Sequence, residues 1–399
     1  MTPRIAIIGA GPGGLTLASL LQRSSIHPFI YERDPFAGYR PQGGTLDLHY
    51  HSGQQALRDA GLWDEFLKHA RFEAQAMKIL TKSLDLVFGD EPPSEDQVED
   101  SRPEIDRTAL RAILLQAVGN DKVNWGHALA SVEPATDNTF NLHFKDGKTE
   151  TGFDLVVGAD GAWSHVRPLI TSVTPFYSGI SVIELHITSP QGAKFDAVNE
   201  LVGQGNAFTF GDGKAIQAQR LGTGDIRIYA SFTTGEDESD WLKRFDPNNP
   251  SAVKAEILAY FDDWAPVLQD LIRLSDDTVQ MRPLYMAPLD YSWTNRQGLT
   301  LLGDAAHVMT PYAGEGVNAA MWDSLELAKA IIKGVKTGNL NEHIQRYEKE
   351  MFERAHESAR RTNRNKESLF AKNFPDSMAE VMEEIQQGTG NAAGPGGPY

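Results

Sequence analysis

The 399-residue sequence contains no cysteine. This absence excludes disulfide bonds, thiolate catalysis, cysteine-ligated zinc and a redox-active dithiol, and it is common in proteins of reducing compartments. No apolar run reaches the roughly 18 residues that a membrane-spanning helix needs. The first predicted strand begins too close to Met1 to leave room for a signal peptide. We therefore expect a soluble cytoplasmic protein without a membrane span.

Basic side chains are few relative to acidic ones: 37 Lys and Arg stand against 54 Asp and Glu, for a formal net charge of −17. Such a negative field repels nucleic acids and anionic membranes, so we expect neither as a partner. We predict a monomer that acts on a small molecule. Six of those carboxylates lie in the stretch DEPPSEDQVED at 90–100. We expect a solvated loop there, with a mobile lid as the alternative.

The pattern of the first 32 residues predicts a strand, a glycine-rich turn, a helix and a second strand. Gly9, Gly11 and Gly14 fit the pattern G-x-G-x-x-G at the strand-to-helix turn, where backbone can approach a pyrophosphate at the positive helix N-terminus. Glu32 follows Gly14 by 18 residues, where a carboxylate can accept a hydrogen bond from a ribose 2′-hydroxyl. A carboxylate there repels the 2′-phosphate of NADP, so the pattern predicts bound FAD or NAD.

Two later segments also place an aspartate beside a glycine at the end of a predicted buried strand: DLVVGADGAWSHVR at 154–167 and GLTLLGDAAHVM at 298–309. In this order after GAGPGG, they resemble the signature set of class A flavoprotein monooxygenases, the para-hydroxybenzoate-hydroxylase-like group. The resemblance implies that Asp304 holds the ribityl chain of FAD. It also implies that Asp160 and Gly161 serve both FAD and the nicotinamide cofactor.

The segment GGTLDLHYHSGQQALRDAGL at 43–62 resembles the tetracycline-inactivating members of that group most closely, together with YERD at 31–34 and LRAILL at 110–115. The resemblance covers most of the chain and fades in residues 172–290. It implies that FAD is bound by a set of charged residues and that Arg40 faces NADPH or NADH. The implied FAD ligands are Glu32, Arg33, Asp47, Arg111 and Asp304.

A proline and two glycines precede the helix that is predicted from Val317. Reduced flavin is negatively charged on its pyrimidine side, and bare N–H groups at a helix N-terminus would stabilise that charge. We therefore assign Pro311, Gly314, Gly316, Val317 and Asn318 to the flavin. The sequence has Glu315 where the family has glutamine, and a carboxylate there would lower the reduction potential unless it is protonated or turned outward.

The predicted architecture is an α/β protein with a Rossmann-like FAD-binding domain, an inserted sheet-based substrate domain and C-terminal helices. The corresponding ranges are 1–171 with 291–330 for FAD, 172–290 for substrate, 331–387 for the helices and 388–399 for a disordered tail. We expect no metal site, and we expect structural rather than catalytic roles for His49 and His307.

The resemblance implies an FAD-dependent monooxygenase that consumes NADPH or NADH and dioxygen and oxygenates a small aromatic or polyketide-like molecule. Because the sequence contains one G-x-G-x-x-G only, we expect the nicotinamide cofactor to bind transiently. A flavin oxidase and a non-catalytic FAD-fold binding protein remain alternatives. A flavin-dependent halogenase is disfavoured because the segment W-x-W-x-x-P of that group is absent.

An approximate alignment places Glu184, Lys214, Arg227 and Tyr229 where tetracycline-inactivating enzymes have glutamine, arginine, histidine and glycine. If these side chains face the substrate, Tyr229 would fill space that a four-ring molecule needs, and Arg227 would bind a carboxylate or phenolate. We therefore expect a substrate that is smaller than tetracycline or differently charged. The alternative is an ion pair between Glu184 and Arg227 on neighbouring strands.

Overall fold

The computed structural model describes residues 2–40, 43–90, 101–136, 138–235 and 240–379. The acidic segment beyond Asp90 and the predicted tail at 388–399 lie outside them. Within the described ranges, no helix has the length and apolarity required to cross a bilayer. The predicted α/β architecture is confirmed: a parallel sheet with helices is joined to a second, larger sheet.

In chain order, the strands are β1 Ile5–Ile8, β2 Phe29–Tyr31, β3 Thr45–Asp47, β4 Met77–Thr81, β5 Leu86–Asp90, β6 Glu104–Asp106, β7 Val123–Asn124, β8 Leu129–Pro134, β9 Phe140–Phe144, β10 Thr149–Phe153, β11 Leu155–Gly158, β12 Phe176–Ile187, β13 Asn206–Gly211, β14 Lys214–Arg220, β15 Ile226–Thr233, β16 Gln280–Met286 and β17 Leu299–Leu301. The helices are α1 Pro12–Arg23, α2 Gln55–Asp59, α3 Trp63–Leu67, α4 Arg107–Val118, α5 Asp196–Val202, α6 Pro250–Leu258, α7 Pro266–Arg273, α8 Asp304–His307, α9 Gly316–Thr337 and α10 Leu340–Leu369.

The first sheet has the order β17-β11-β1-β2-β7 and is entirely parallel. Its strands are short, apolar runs that are buried on both faces, as expected where helices cover a parallel sheet. The core around it includes side chains from α1, α4, α9 and α10. The glycine-rich turn and the two aspartate motifs follow β1, β11 and β17, which are adjacent strands, so their carboxyl ends meet at one sheet edge.

The second sheet has seven strands in the order β16-β12-β15-β14-β13-β4-β5. Only β13 and β4 are parallel; the other pairs are antiparallel. Strands β4 and β5 come from residues 77–90, inside the range that the sequence assigned to the FAD-binding domain. The larger sheet therefore includes two strands from outside 172–290. A strand joins a sheet by pairing with its edge, whatever the distance between the two strands along the chain.

The two faces of this larger sheet are covered differently. One face packs against α5, α6 and α7 and forms an apolar cluster that includes Ile216, Ile228 and Trp264. The other face carries a smaller apolar cluster that includes Phe208, Tyr229 and Leu369 at the end of α10. Because side chains alternate between faces along a strand, each strand residue is assigned to one of these environments by its position.

Candidate active site

A cavity of ≈ 600 Å³ lies between the two sheets. Its wall contains the turn after β1, the ends of β11 and β17, the turn before α9, and one end of the seven-stranded sheet. The carboxyl ends of the parallel strands thus open directly towards the second sheet. This is the edge at which open α/β sheets bind ligands.

The three glycines of the turn after β1 have distinct roles. A Cβ at Gly14 would lie 2.1 Å from the carbonyl oxygen of Gly9, so Gly14 permits the close packing of α1 on β1. Gly9 has a φ of +110°, and a Cβ there would lie 2.3 Å from the carbonyl oxygen of Ala159. Gly11 lines the cavity, and nothing lies within 4 Å of its Cβ position. The turn therefore leaves open space where a pyrophosphate would approach the backbone.

Glu32 follows β2, is buried and lines the cavity. Its carboxylate accepts hydrogen bonds from the backbone N–H groups of Ala10 at 2.7 Å and of Asp34 at 3.0 Å. The predicted FAD ligand Arg111 instead lies behind this turn: its Nε donates to the carbonyl oxygen of Ala10 at 3.1 Å. Arg111 is absent from the cavity wall, whereas Arg107, one helical turn earlier, is part of it.

Asp160 and Asp304 lie at the ends of adjacent strands and line the same cavity. Burial raises the pKa of both carboxyls. Among the described residues, Oδ1 of Asp160 has no hydrogen-bond partner although it is buried, while its Oδ2 accepts from the backbone N–H of His165 at 2.7 Å. A buried carboxylate acceptor without a donor fits the hydroxyl groups of FAD, which can donate to it.

The turn at 311–318 also borders the cavity through Pro311, Gly314, Gly316 and Val317. Helix α9 begins at Gly316 and runs for 22 residues, so its N-terminal N–H groups lie at the wall. Asn318 is outside the wall and supports the turn. Its Nδ2 donates to the carbonyl oxygen of Gly314 at 3.2 Å and to that of Asp47 at 2.8 Å. The arrangement suits a flavin ring whose negative charge meets the helix N-terminus.

The wall opposite this turn is formed by the seven-stranded sheet. Asn206 of β13 pairs in register with Gln219 of β14 on one side and with Met77 of β4 on the other, so the three lie in one row. Phe208 follows two positions after Asn206 and faces the same way. All four line the cavity. Asn206 Oδ1 and Gln219 Oε1 are buried and lack hydrogen-bond partners among the described residues.

A family model described as "FAD binding domain" matches residues 2–362. The chain belongs to this family and is a class A FAD-dependent monooxygenase. It is 32% identical over 434 residues to monooxygenase penA of Penicillium thymicola, which covers 95% of this chain and 98% of the relative. It is 30% identical over 443 residues to monooxygenase asqM of Emericella nidulans, with the same coverage.

A further relative is 3-amino-4-hydroxybenzoate 2-monooxygenase of Streptomyces cremeus, 27% identical over 378 residues, or 94% of this chain and 89% of the relative. Among solved structures, Klebsiella pneumoniae HpxO complexed with FAD and uric acid matches with a TM-score of 0.77 at 22% identity over 96% of this chain and 93% of that one. The tetracycline destructase Tet(51) matches with a TM-score of 0.71 at 20% identity over 97% and 96%. Both structures share the fold of this monooxygenase.

None of the four substrate contacts predicted from the approximate alignment lies on the cavity wall. Lys214 is on the opposite face of the sheet, where its Nζ donates to the carbonyl oxygen of Tyr260. Tyr229 is fully buried in the apolar cluster that contains Phe208. Glu184 forms ion pairs with Arg227 and Arg282. The cross-strand ion pair, which was the alternative interpretation, is therefore the observed arrangement.

Arg33 and Arg40 both line the cavity. Arg33 is exposed, and Arg40 is about half exposed, with its Nε 3.0 Å from the buried carboxylate of Asp34. The side chains of Phe36 and Tyr39 between them are exposed and form an edge-to-face pair with centroids 5.5 Å apart. Assignment of Arg40 to the nicotinamide cofactor stays a prediction that this surface position allows.

Glu315 lies next to the flavin turn, is buried and lines the cavity. Its carboxylate forms an ion pair with Arg361 of α10 and accepts a hydrogen bond from Ser358 at 3.4 Å. The negative charge is therefore held against a cation from the C-terminal helix, which reduces its repulsion of a reduced flavin. Arg361 and Glu315 are 46 positions apart, so the motif around Glu315 could not predict this ion pair.

The two histidines near the motifs each bind a carboxylate. His49 Nε2 lies 3.0 Å from Asp47 Oδ2; burial would raise the pKa of Asp47, but this contact holds it below its usual range. His307 Nε2 lies 2.6 Å from Asp323 Oδ2, which also accepts from the N–H of Gly303 at 3.0 Å. Burial would lower the pKa of His307, but the adjoining Asp323 carboxylate raises it. Both contacts support the strand-end turns.

Proposed function

We propose that this monooxygenase uses NADPH or NADH and dioxygen to hydroxylate a small aromatic molecule that carries hydrogen-bond donors. The observation that carries the proposal is one cavity that joins the three glycine and aspartate motifs to a row of uncharged polar side chains. When bound, FAD supplies the reduction and oxygen-transfer chemistry. The protein supplies the position of the ring and the positive helix end of α9.

The substrate class is inferred from the two amide oxygens at Asn206 and Gln219, which are buried without donors among the described residues. Asn206 Nδ2 already donates at 3.4 Å to the carbonyl oxygen of Ala74 and at 3.1 Å to Glu104, so its Oδ1 is the atom of this amide that lacks a partner among the described residues. An O–H or N–H group of the substrate would satisfy it, and leaving it unsatisfied would cost about 1–3 kcal/mol. Phe208 and Met77 offer apolar surface for a ring.

One sequence relative and one structural neighbour support a substrate whose ring carries hydrogen-bond donors. One is a 3-amino-4-hydroxybenzoate 2-monooxygenase, and one structural neighbour is complexed with uric acid. The expectation that tetracycline is a poor substrate rested on four residues that lie away from the cavity wall, so the structure gives it no support.

The test is anaerobic mixing of the FAD-loaded protein with NADPH and then NADH, across phenols, aminophenols and tetracycline, while the flavin absorbance is followed. Product formed under isotopically labelled dioxygen should carry one labelled atom, and the other should appear in water. Label that enters product only from solvent, or stoichiometric peroxide with no oxygenated product, would establish an oxidase or a hydratase instead.

A further inference from the structure

Glu104 is a buried carboxyl on the cavity wall that the motifs do not explain. It opens β6, which pairs with β3, and the register places Glu104 directly opposite Asp47. Its Oε2 accepts a hydrogen bond from the hydroxyl of Thr45 at 2.6 Å, and its Oε1 accepts one from Nδ2 of Asn206 at 3.1 Å. Glu104 therefore links the cofactor side of the cavity to the row of polar side chains on the substrate side.

The neighbours of Glu104 act on its charge in opposite directions. Asp47 adds a like charge from β3, and Arg71 adds a cation whose NH2 donates to Thr45 at 2.9 Å. Arg102 and Arg107 line the same cavity. Burial, followed by the repulsion from Asp47, raises the pKa of Glu104 to about 7.

The pKa values of the two paired carboxyls, Asp47 and Glu104, are therefore shifted in opposite directions. Asp47 is held ionised by His49, and its pKa lies below the usual range. Glu104 receives its two hydrogen bonds from neutral donors and exchanges protons near neutral pH. When the environments of two adjacent carboxyls separate their pKa values, the group with the raised value is suited to accept and return a proton.

We propose that Glu104 is the general base of the reaction, which accepts the proton of a hydroxyl on the substrate ring. The proposal rests on the hydroxylation of an aromatic substrate argued above. The O–H bond of the substrate breaks, the proton passes to a carboxylate oxygen of Glu104, and the electron pair stays on the substrate oxygen. The ring becomes more electron-rich and more reactive towards electrophilic oxygen, and the carboxyl later releases the proton to water.

Asn206 has a positioning role in this proposal. Its Nδ2 fixes Glu104 Oε1, and its Oδ1, which has no donor among the described residues, would accept from a second donor of the same ring. A substrate with two neighbouring donors, such as an aminophenol or a catechol, would therefore bind better than one with a single hydroxyl. The expected substrates are therefore rings with two neighbouring donors rather than phenols in general.

The first experiment measures binding of 4-nitrophenol to the FAD-loaded protein by difference absorbance, for the wild type, Glu104→Gln and Glu104→Asp. If the probe oxygen and Glu104 share one proton, the anionic probe binds only when the carboxyl is protonated. Its apparent dissociation constant for the wild type should therefore rise roughly tenfold per pH unit above about pH 7. Glu104→Asp should keep a rise with pH, and Glu104→Gln should show none over the same range.

The second experiment uses turnover of any phenol that the wild type hydroxylates. Glu104→Gln should lower kcat/KM by roughly 10²–10⁴-fold, the usual contribution of a general base. The defect should shrink for ring-fluorinated analogues, whose hydroxyl ionises more readily. FAD occupancy should stay unchanged in Glu104→Gln, because Gln can keep hydrogen bonds to Thr45 and Asn206.

Three results would overturn the role of Glu104: no binding of 4-nitrophenol by the wild type, the same pH dependence in the wild type and Glu104→Gln, or an equal loss of turnover for all analogues. Absence of labelled oxygen in any product of the wild type would instead refute the proposed function. The binding experiment needs no turnover and still tests Glu104 in that case, so the two failures are distinguishable.

Discussion

The two ends of the cavity are built by different means. At the cofactor end, the polar groups follow the ends of β1, β11 and β17, and each belongs to a compact motif of glycine and acid. At the substrate end, Asn206 and Gln219 sit inside regular strands and meet only because β13 and β14 pair in that register. Strand-end motifs can be recognised along the sequence, whereas a row across a sheet depends on which strands pair.

This difference implies that the cofactor end should be sensitive to backbone geometry, and the substrate end to single side chains. Substitutions can be chosen to separate retention of FAD from recognition of substrate.

The largest effect, on folding, is expected from substitution of Gly14. Comparison with Gly11 then separates a role in folding from a role in FAD binding within the same motif. Gly14→Ala places a Cβ 2.1 Å from the carbonyl oxygen of Gly9, so we expect loss of soluble, folded protein. Gly11→Ala meets nothing within 4 Å and should fold normally but bind FAD poorly, since its methyl group enters the cavity. Circular dichroism and flavin content of the two variants check this. Equal stability of both would contradict the assigned roles.

The next effect concerns Glu104 and pH. Because its folded-state pKa is raised from 4.5 to about 7, protonation favours the fold, and this stability is lost as pH rises through that range. From about pH 5 to pH 8, the free energy of unfolding of the wild type should therefore fall about 2–3 kcal/mol further than that of Glu104→Gln. Denaturant unfolding at constant FAD concentration measures the difference. Parallel pH curves would show that the carboxyl is ionised throughout.

At the cofactor end, Asp304→Ala should weaken FAD binding by about 1.5–3 kcal/mol, or roughly 10–150-fold, because a hydrogen bond to a charged group is lost. The dissociation constant can be obtained from flavin fluorescence on titration of the apoprotein. Asp290→Ala, at an exposed ion pair with Arg360, serves as the control and should leave the affinity unchanged. Full flavin retention in Asp304→Ala would remove Asp304 from the FAD site.

At the substrate end, Gln219→Leu should leave FAD affinity intact and raise KM for a phenolic substrate about 2–12-fold, the value of one neutral hydrogen bond of about 0.5–1.5 kcal/mol. Gln217→Leu is the matched control, since Gln217 lies two positions away on the same strand and is absent from the cavity wall. Its expected effect is on stability, not on KM. Equal KM changes in both variants would show that the row does not contact substrate.

The smallest change is expected at the contact between α10 and the flavin turn. Arg361→Gln leaves the Glu315 carboxylate without its cation, so we expect a lower flavin reduction potential from repulsion of the anionic reduced form. Glu315→Gln in the same protein should reverse that decrease. Potentials measured against reference dyes test this pair. An unchanged potential in Arg361→Gln would show that the carboxylate does not sense the flavin charge.

The cofactor end could be predicted largely from sequence because its signals are local. The positions of Gly9, Gly11, Glu32, Asp160 and Asp304 on one wall follow from strand-end motifs and from the meeting of parallel strands at one edge. Arg111 shows the limit of this reasoning. The helix position was right, but one turn of helix decides whether a side chain faces the cavity, as Arg107 does, or supports the turn behind it.

The substrate end could not be predicted because its residues lie on strands whose pairing the sequence does not reveal. The segment AIQAQRL at 215–221 alternates small or apolar residues with glutamines, a pattern that normally indicates a solvent-exposed polar face. Here that face is buried, and Gln219 lines the cavity. The two glutamines of β14, Gln217 and Gln219, were the feature of the sequence that could have pointed to this site. Their significance depends on the burial of both faces of the strand, which only the folded protein shows.

The sequence alone determined the chain's Rossmann-like half, its FAD chemistry and its lack of cysteine-based reactions, because each depends on residue types at fixed local spacing. The tertiary structure decided which polar side chains face the substrate and how Glu315 is neutralised. It also placed Glu104 between Thr45 and Asn206, residues that are 59 and 102 positions away. Such contacts arise from strand register and from packing of α10, which are set by the free energy of the whole fold rather than by neighbouring residues.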